Sequence, residues 1–174
     1  TTSITTRSAE TANGSGDAAT FNDSEGVLMA EISALATAPT RVITLGDGTS
    51  ANRVQFFYNS SNILNANVIN IGSQVTGFVY NGDANLFNKC ALKYKVNDFA
   101  FWVNGFKIEV DTDGITPTGL NKLSFDNGTG PADFYGNTKQ IQYFDTALSD
   151  TDLETLTSWV SFQEMAQSQL YSIE

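Results

Sequence analysis

Three carboxylates, one tryptophan and two oxygen-rich loops are the groups whose types and spacing suit chemistry. Glu109, Asp111 and Asp113 alternate along EVDTD. On a β-strand they would share one face, the placement from which two carboxyl groups about 5 Å apart cleave a glycosidic bond. Trp102 sits in NDFAFWVNGF just before Asn104-Gly105, and a flat indole on a sheet surface can stack on the apolar face of a sugar. The stretch DNGTGPAD and the shorter Gly46-Asp47-Gly48 mix carboxylates with glycines. Hard oxygen ligands on a turning backbone are what calcium takes, so Asp126, Asp133 and Asp47 are candidate calcium ligands.

Missing residues exclude other chemistry. The chain has no histidine, which rules out Ser-His and Cys-His pairs and any imidazole-bound metal. Its single cysteine, Cys90, lies in the strand-like NKCALKYKV and reads as a small buried hydrophobe. Nine Lys and Arg against nineteen Asp and Glu give a net charge of −10, the wrong sign for a phosphate backbone, so nucleic acid is not an expected partner. No apolar run is long enough to cross a bilayer, and no leader-like start is present, so a soluble protein without membrane insertion is expected. A first residue of Thr rather than Met points to a piece of a longer chain.

The elements that must position these groups are strands. Asn104-Gly105 supplies the two positive φ angles of a two-residue hairpin turn and has alternating apolar residues on both sides. Similar segments are predicted at 19–22, 26–35, 41–45, 53–58, 63–71, 75–80, 89–96, 99–104, 107–111, 122–126 and 140–144, punctuated by Gly/Asn/Asp turns. Many short strands with turns between them predict an all-β, antiparallel two-sheet sandwich. With 174 residues and 41% hydrophobic content, one domain over 1–174 is expected. Residues 1–17, rich in Thr, Ser and Gly, read as a surface arm or linker. Residues 149–174 read as one or two short helices, with Ser149 and Ser161 as N-caps and Leu148 and Leu153 as a staple.

Several stretches together carry a resemblance: Arg53-Val54 after GDGTSANR, CALKYKVNDFAFWVNG, the LSFDNG loop and FYGNTKQIQYFDTALSDTDLETLTS. The chain resembles the laminin G-like branch of the concanavalin A-like lectin/glucanase jelly rolls, in the form found in phage tail and structural proteins. That resemblance implies a jelly roll, frequent carbohydrate binding, occasional calcium, and a virion or extracellular location. In the β-glucan-hydrolysing branch the catalytic strand resembles E-x-D-x-x-E, and Glu109 to Asp113 departs from it in its last residue and spacing. Glu109 and Asp111 are therefore expected to be non-catalytic, with Phe106, Ile108 and Val110 on the opposite, core-facing side.

Strand alternation supplies the binding expectation. If Phe99, Phe101 and Val103 face the core, Trp102 and Asn104 face outward, as does Lys93 beside inward Cys90, Leu92 and Tyr94. The same rule turns Val54, Phe56 and Tyr58 inward and Arg53 and Gln55 outward. Trp102, Arg53, Gln55, Lys93 and Asn104 are the expected carbohydrate site, provided their strands share a sheet. The alternative for Trp102 is burial under the N-terminal arm or C-terminal helix. The functional expectation is a non-enzymatic module of a phage tail fibre or other virion appendage that recognises a cell-surface or extracellular polysaccharide. A structural decoration domain contacting virion subunits or copies of itself is the alternative, and a β-glucan-active enzyme is third.

Overall fold

The computed structural model describes residues 15–35, 39–161 and 163–165. Ten strands and one helix follow in order: β1 (Glu25–Ala34), β2 (Arg41–Gly46), β3 (Arg53–Tyr58), β4 (Leu64–Asn70), β5 (Ser73–Tyr80), β6 (Asn88–Lys95), β7 (Phe99–Val103), β8 (Phe106–Asp111), β9 (Lys122–Ser124), β10 (Gly136–Phe144) and α1 (Asp150–Thr157). They form two five-stranded sheets, β10-β1-β6-β7-β8 (sheet A) and β5-β4-β3-β2-β9 (sheet B). Every pairing is antiparallel. This is the expected two-sheet sandwich.

Alternation places the core as expected. Cys90, Leu92, Tyr94, Phe99, Phe101 and Val103 of sheet A meet Val54, Phe56, Tyr58, Val68 and Phe78 of sheet B between the layers. Phe101 touches two rings of the opposite sheet, Phe78 stacked at 6.1 Å and Phe56 tilted at 6.2 Å. Burying a side chain of this size contributes about 1.5–3 kcal/mol. One end of the core holds a cation. Arg41 is fully buried over the Tyr58 ring at 5.7 Å. Its Nη1 donates to the Leu35 carbonyl at 2.8 Å, and its Nη2 donates to Asn62 Oδ1 at 2.6 Å and to the Asn59 carbonyl at 3.3 Å. Burial lowers the Arg41 pKa from its ordinary value, with the Tyr58 hydroxyl opposing that shift.

The turn at Asn104-Gly105 forms with φ of 53° and 84°, both left-handed as a twisted hairpin requires. A second two-residue turn, Ile71-Gly72, joins β4 to β5 and is less well suited to its residues. Ile71 has φ of 47° and an 80% exposed side chain, an outlier for a β-branched residue. So exposed a side chain gains little from packing to offset the strain. Ile71→Asn is therefore expected to stabilise the protein by about 1 kcal/mol in chemical denaturation, since Asn tolerates this conformation. A destabilised variant would show that the Ile71 side chain has a packing role.

Two expectations are corrected here. Residues 19–22 are not a strand: Asp17 accepts hydrogen bonds from the Ala19 and Thr20 amides, both at 3.0 Å, and turns the chain so that Phe21 meets Tyr143 edge-on at 5.0 Å. In β8 a register shift beside Phe101 and Trp102 breaks the simple alternation. Ile108 alone packs on the core, while Phe106 and Val110 are exposed.

The C-terminal end follows its caps. Ser149 Oγ accepts from the Asp152 amide, and Leu148 and Leu153 lie in one apolar cluster. Ser161 Oγ accepts from the Glu164 amide at 3.0 Å and starts a second helical turn at 163–165. Residues 166–170 of that expected helix, Phe162, and residues 1–14 of the expected arm lie outside the described residues.

Candidate functional site

The five residues expected to bind carbohydrate divide between the two sheets. Trp102, Lys93 and Asn104 belong to β7, β6 and the turn of sheet A, and Arg53 and Gln55 belong to β3 of sheet B. Trp102, Lys93, Arg53 and Gln55 alternate with core residues and point outward as expected, whereas Asn104 turns back onto Asn88 and Lys89; the outer faces of two packed sheets point away from each other. The proviso that the strands share a sheet fails, and the residues do not form one site.

The sheet A half is occupied by the protein's own structure. Trp102 is only 5% exposed because α1 lies across it, with Leu153, Leu148 and Leu156 completing a second apolar cluster with Val27, Met29, Ala91 and Ala100. Lys107 pairs with Asp150 of the helix and stands 5.4 Å from the Trp102 ring. Lys93 pairs with Asp98 at 2.6 Å. Asn104 Oδ1 accepts from the Lys89 amide and its Nδ2 donates to Asn88 Oδ1, both at 2.9 Å. These groups are engaged in holding the fold, so Trp102 is not an open sugar platform.

On sheet B, strand register arranges the outward side chains in three rows. Val42, Phe57, Asn65 and Val79 form the first, and Ser124, Thr44, Gln55, Asn67 and Gly77 the second. The third runs Lys122, Gly46, Arg53, Ile69 and Gln74. In the middle row Ser124 is 5% exposed and Gln55 and Asn67 are each 7% exposed. Even so, Ser124 Oγ, Gln55 Oε1 and Asn67 Oδ1 have no hydrogen-bond partner among the described residues. An unsatisfied buried polar atom costs about 1–3 kcal/mol, and three along one row call for a ligand or ordered water. Half-buried Phe57 provides an apolar surface beside them.

The loop at 126–133 forms one wall. Thr44 Oγ1 donates to the Asp126 carbonyl at 2.8 Å, and Arg53 Nη1 donates to the Asn127 carbonyl at 2.9 Å, which ties the loop to the outer face. Asp126 Oδ1 accepts from the Gly128 amide, and Asp47 accepts from Thr49 and Asn52. Burial pushes the Asp47 carboxyl up, but those hydrogen bonds outweigh it and leave its pKa below the ordinary value. Among the described residues no three acidic or thiol groups converge on a metal position, so Asp47, Asp126 and Asp133 are not brought together as one three-carboxylate cluster.

Glu109 and Asp111 lie on edge strand β8, opposite Phe101 and Phe99. Asp111 Oδ1 accepts from the Asp113 amide at 3.0 Å and stabilises the turn after the strand. Cys90 is fully buried with its Sγ 3.4 Å from the Ala30 carbonyl, and burial pushes its thiol well above the usual range.

Sequence reasoning missed Thr44, Asn67 and Ser124. The Asn67 signal was present in LNANV, where apolar Leu64, Ala66 and Val68 alternate with Asn65 and Asn67. Folding β3 onto β4 about the Asn-rich turn at 59–62 puts Asn67 opposite Gln55.

The carbohydrate-binding module named CBM40 of the Ruminococcus gnavus IT-sialidase superposes with a TM-score of 0.65 over 84% of this chain and 94% of that one, at 16% identity. The fold is a jelly roll. A SAP-like pentraxin from Limulus polyphemus has the same architecture, with a TM-score of 0.60 over 80% of this chain and 72% of that one, at 12% identity. The leech intramolecular trans-sialidase gives 0.58 at 17% identity, over 81% of this chain and 24% of that much longer one. No family model matches the sequence, and no curated protein matches it.

Proposed function

We propose that this jelly roll is a non-catalytic carbohydrate-binding module that holds its glycan on the outer face of sheet B. The observation that carries this reading is the row of buried, unpartnered polar atoms on Gln55, Asn67 and Ser124. Sugar hydroxyls both donate and accept, and a few convergent polar groups beside an apolar surface orient small polar ligands. Phe57 supplies that surface, and the loop at 126–133 closes one side. In support, the similar Ruminococcus module has also been captured bound to α2,3- and α2,6-sialyllactose. The proposed setting, a phage tail fibre or other virion appendage, rests on the sequence resemblance described above.

A glycan array followed by calorimetry on the best oligosaccharide tests the site. The double variant Gln55→Ala/Asn67→Ala is expected to weaken binding by about tenfold or more, equivalent to about 1.4 kcal/mol, with the β-sheet signal in circular dichroism retained. No glycan bound, or affinity unchanged in the double variant, would overturn the reading. Self-association through this face in place of glycan binding would favour the assembly role.

A further inference from the structure

The sequence contains four Asn-Gly pairs, at 13–14, 81–82, 104–105 and 127–128, and the first lies outside the described residues. In such a pair the backbone nitrogen of the glycine can attack the carbonyl carbon of the preceding side chain, because no Cβ obstructs the approach. The attack needs two freedoms. The Asn side chain must swing toward its own backbone, and the next amide must be released from any hydrogen bond. The three described pairs differ in both.

Asn104 and Gly105 have neither freedom. Asn104 Oδ1 accepts from the Lys89 amide and its Nδ2 donates to Asn88 Oδ1, both at 2.9 Å, while the Gly105 amide donates to Thr157 Oγ1 at 3.1 Å. Asn127 and Gly128 are held in a similar way. Asn127 Oδ1 accepts from the Thr129 amide at 3.0 Å and from the Thr129 hydroxyl at 2.7 Å, and the Gly128 amide donates to Asp126 Oδ1. Asn81 and Gly82 follow the end of β5. Asn81 is exposed, and neither its side chain nor the Gly82 amide makes a hydrogen bond among the described residues. The fixed points of the β5–β6 connection come later: the Ala84 carbonyl accepts from the Ala34 amide at 2.7 Å, and Asn88 Nδ2 donates to the Asp83 and Leu86 carbonyls, both at 3.0 Å.

We propose that Asn81 is a site of spontaneous modification in the folded protein, converting to aspartate and isoaspartate, while the fold protects Asn104 and Asn127. Solvent base takes the Gly82 N–H proton, the nitrogen bonds to Asn81 Cγ, and the side-chain nitrogen, reprotonated by water, leaves as ammonia. Water then opens the cyclic imide at either carbonyl. The net change is amide plus water to carboxylate plus ammonium, and it adds a negative charge to a chain already at −10. The isoaspartate product carries an extra methylene in the backbone, which is absorbed between the end of β5 at Tyr80 and the first fixed carbonyl at Asp83.

The test incubates the intact chain in mildly alkaline buffer and follows it by ion exchange and peptide mass mapping, with an isoaspartyl methyltransferase marking the isomerised product. A more acidic form should accumulate. Its mass gain and methyl acceptance should map to the peptide containing Asn81 about tenfold or more faster than to those containing Asn104 or Asn127, since the latter react only after local opening. Asn81→Gln, which would have to close a larger ring, should remove that signal. Because the Asn81 side chain is exposed and makes no hydrogen bond among the described residues, this variant should melt at the same temperature as the parent. In urea the three sites should react at comparable rates. Modification appearing first at Asn104 or Asn127 in the folded chain would overturn the proposal. So would an unreactive Asn81 in the folded chain over the time in which the unfolded chain reacts, and so would an order of reactivity that persists in urea.

Discussion

Replacing Trp102 with alanine is expected to lower stability by about 3–5 kcal/mol, the usual cost of truncating a buried aromatic side chain. Its indole fills the space between β7 and α1, touching a cluster that includes Val27, Met29, Ala100 and Leu153. The loss should appear as a melting temperature lower by roughly 10 °C for a chain of this size. Because sheet B faces the other way, glycan affinity measured well below the melting transition should be unchanged. The opposite pattern, stability kept and binding lost, would return the indole to the binding site and show that α1 moves aside.

The second large effect belongs to Arg41. Arg41→Met keeps much of the side chain's length but removes the donors that serve the Leu35 and Asn59 carbonyls and Asn62 Oδ1. Each acceptor deprived of its partner in a buried setting costs about 1–3 kcal/mol, offset in part because an unpaired charge no longer has to be desolvated. A net loss of about 2–4 kcal/mol is expected in urea unfolding. It should be accompanied by faster hydrogen exchange in the turn at 59–62, whose Asn62 has φ of 60°. Unchanged stability together with unchanged exchange would show that the loop ends hold without the guanidinium.

Most of the fold was legible because period-two alternation decides which face of a strand is apolar, and the core at Leu92, Phe101 and Phe56 follows from that rule alone. Alternation does not say which sheet a strand joins. Arg53 and Trp102 both point outward, yet they point away from each other, since β3 and β7 enter different layers. The burial of Trp102 depended on where α1 docks, a tertiary fact that its cap residues do not reveal. The alternation failed locally at β8, where a register shift next to Trp102 left Phe106 and Val110 outside. Of the proposed site, Gln55 was visible from one strand, whose alternation also turns Arg53 outward. Its partners Thr44, Asn67 and Ser124 needed the register of β2, β4 and β9 against that strand.

Strand β1 lies between β6 and β10, and its pairing runs from Val27 against Phe144 to Ala34 against Gly136. A chain emerging from the ribosome makes β1 early and must wait for nearly the whole domain before the second edge of that strand is satisfied. Strands β2 to β5 pair in consecutive hairpins and need nothing outside themselves to find register. Sheet B therefore has the means to organise while β1 is still searching, because short loops close sooner than long ones. In the interval EGVLMAEISA presents an apolar strand with an open edge, the state most open to pairing with a neighbouring nascent copy. The proposed ligand face thus belongs to the part of the molecule that can assemble early, and the vulnerability to misassembly is confined to the opposite layer.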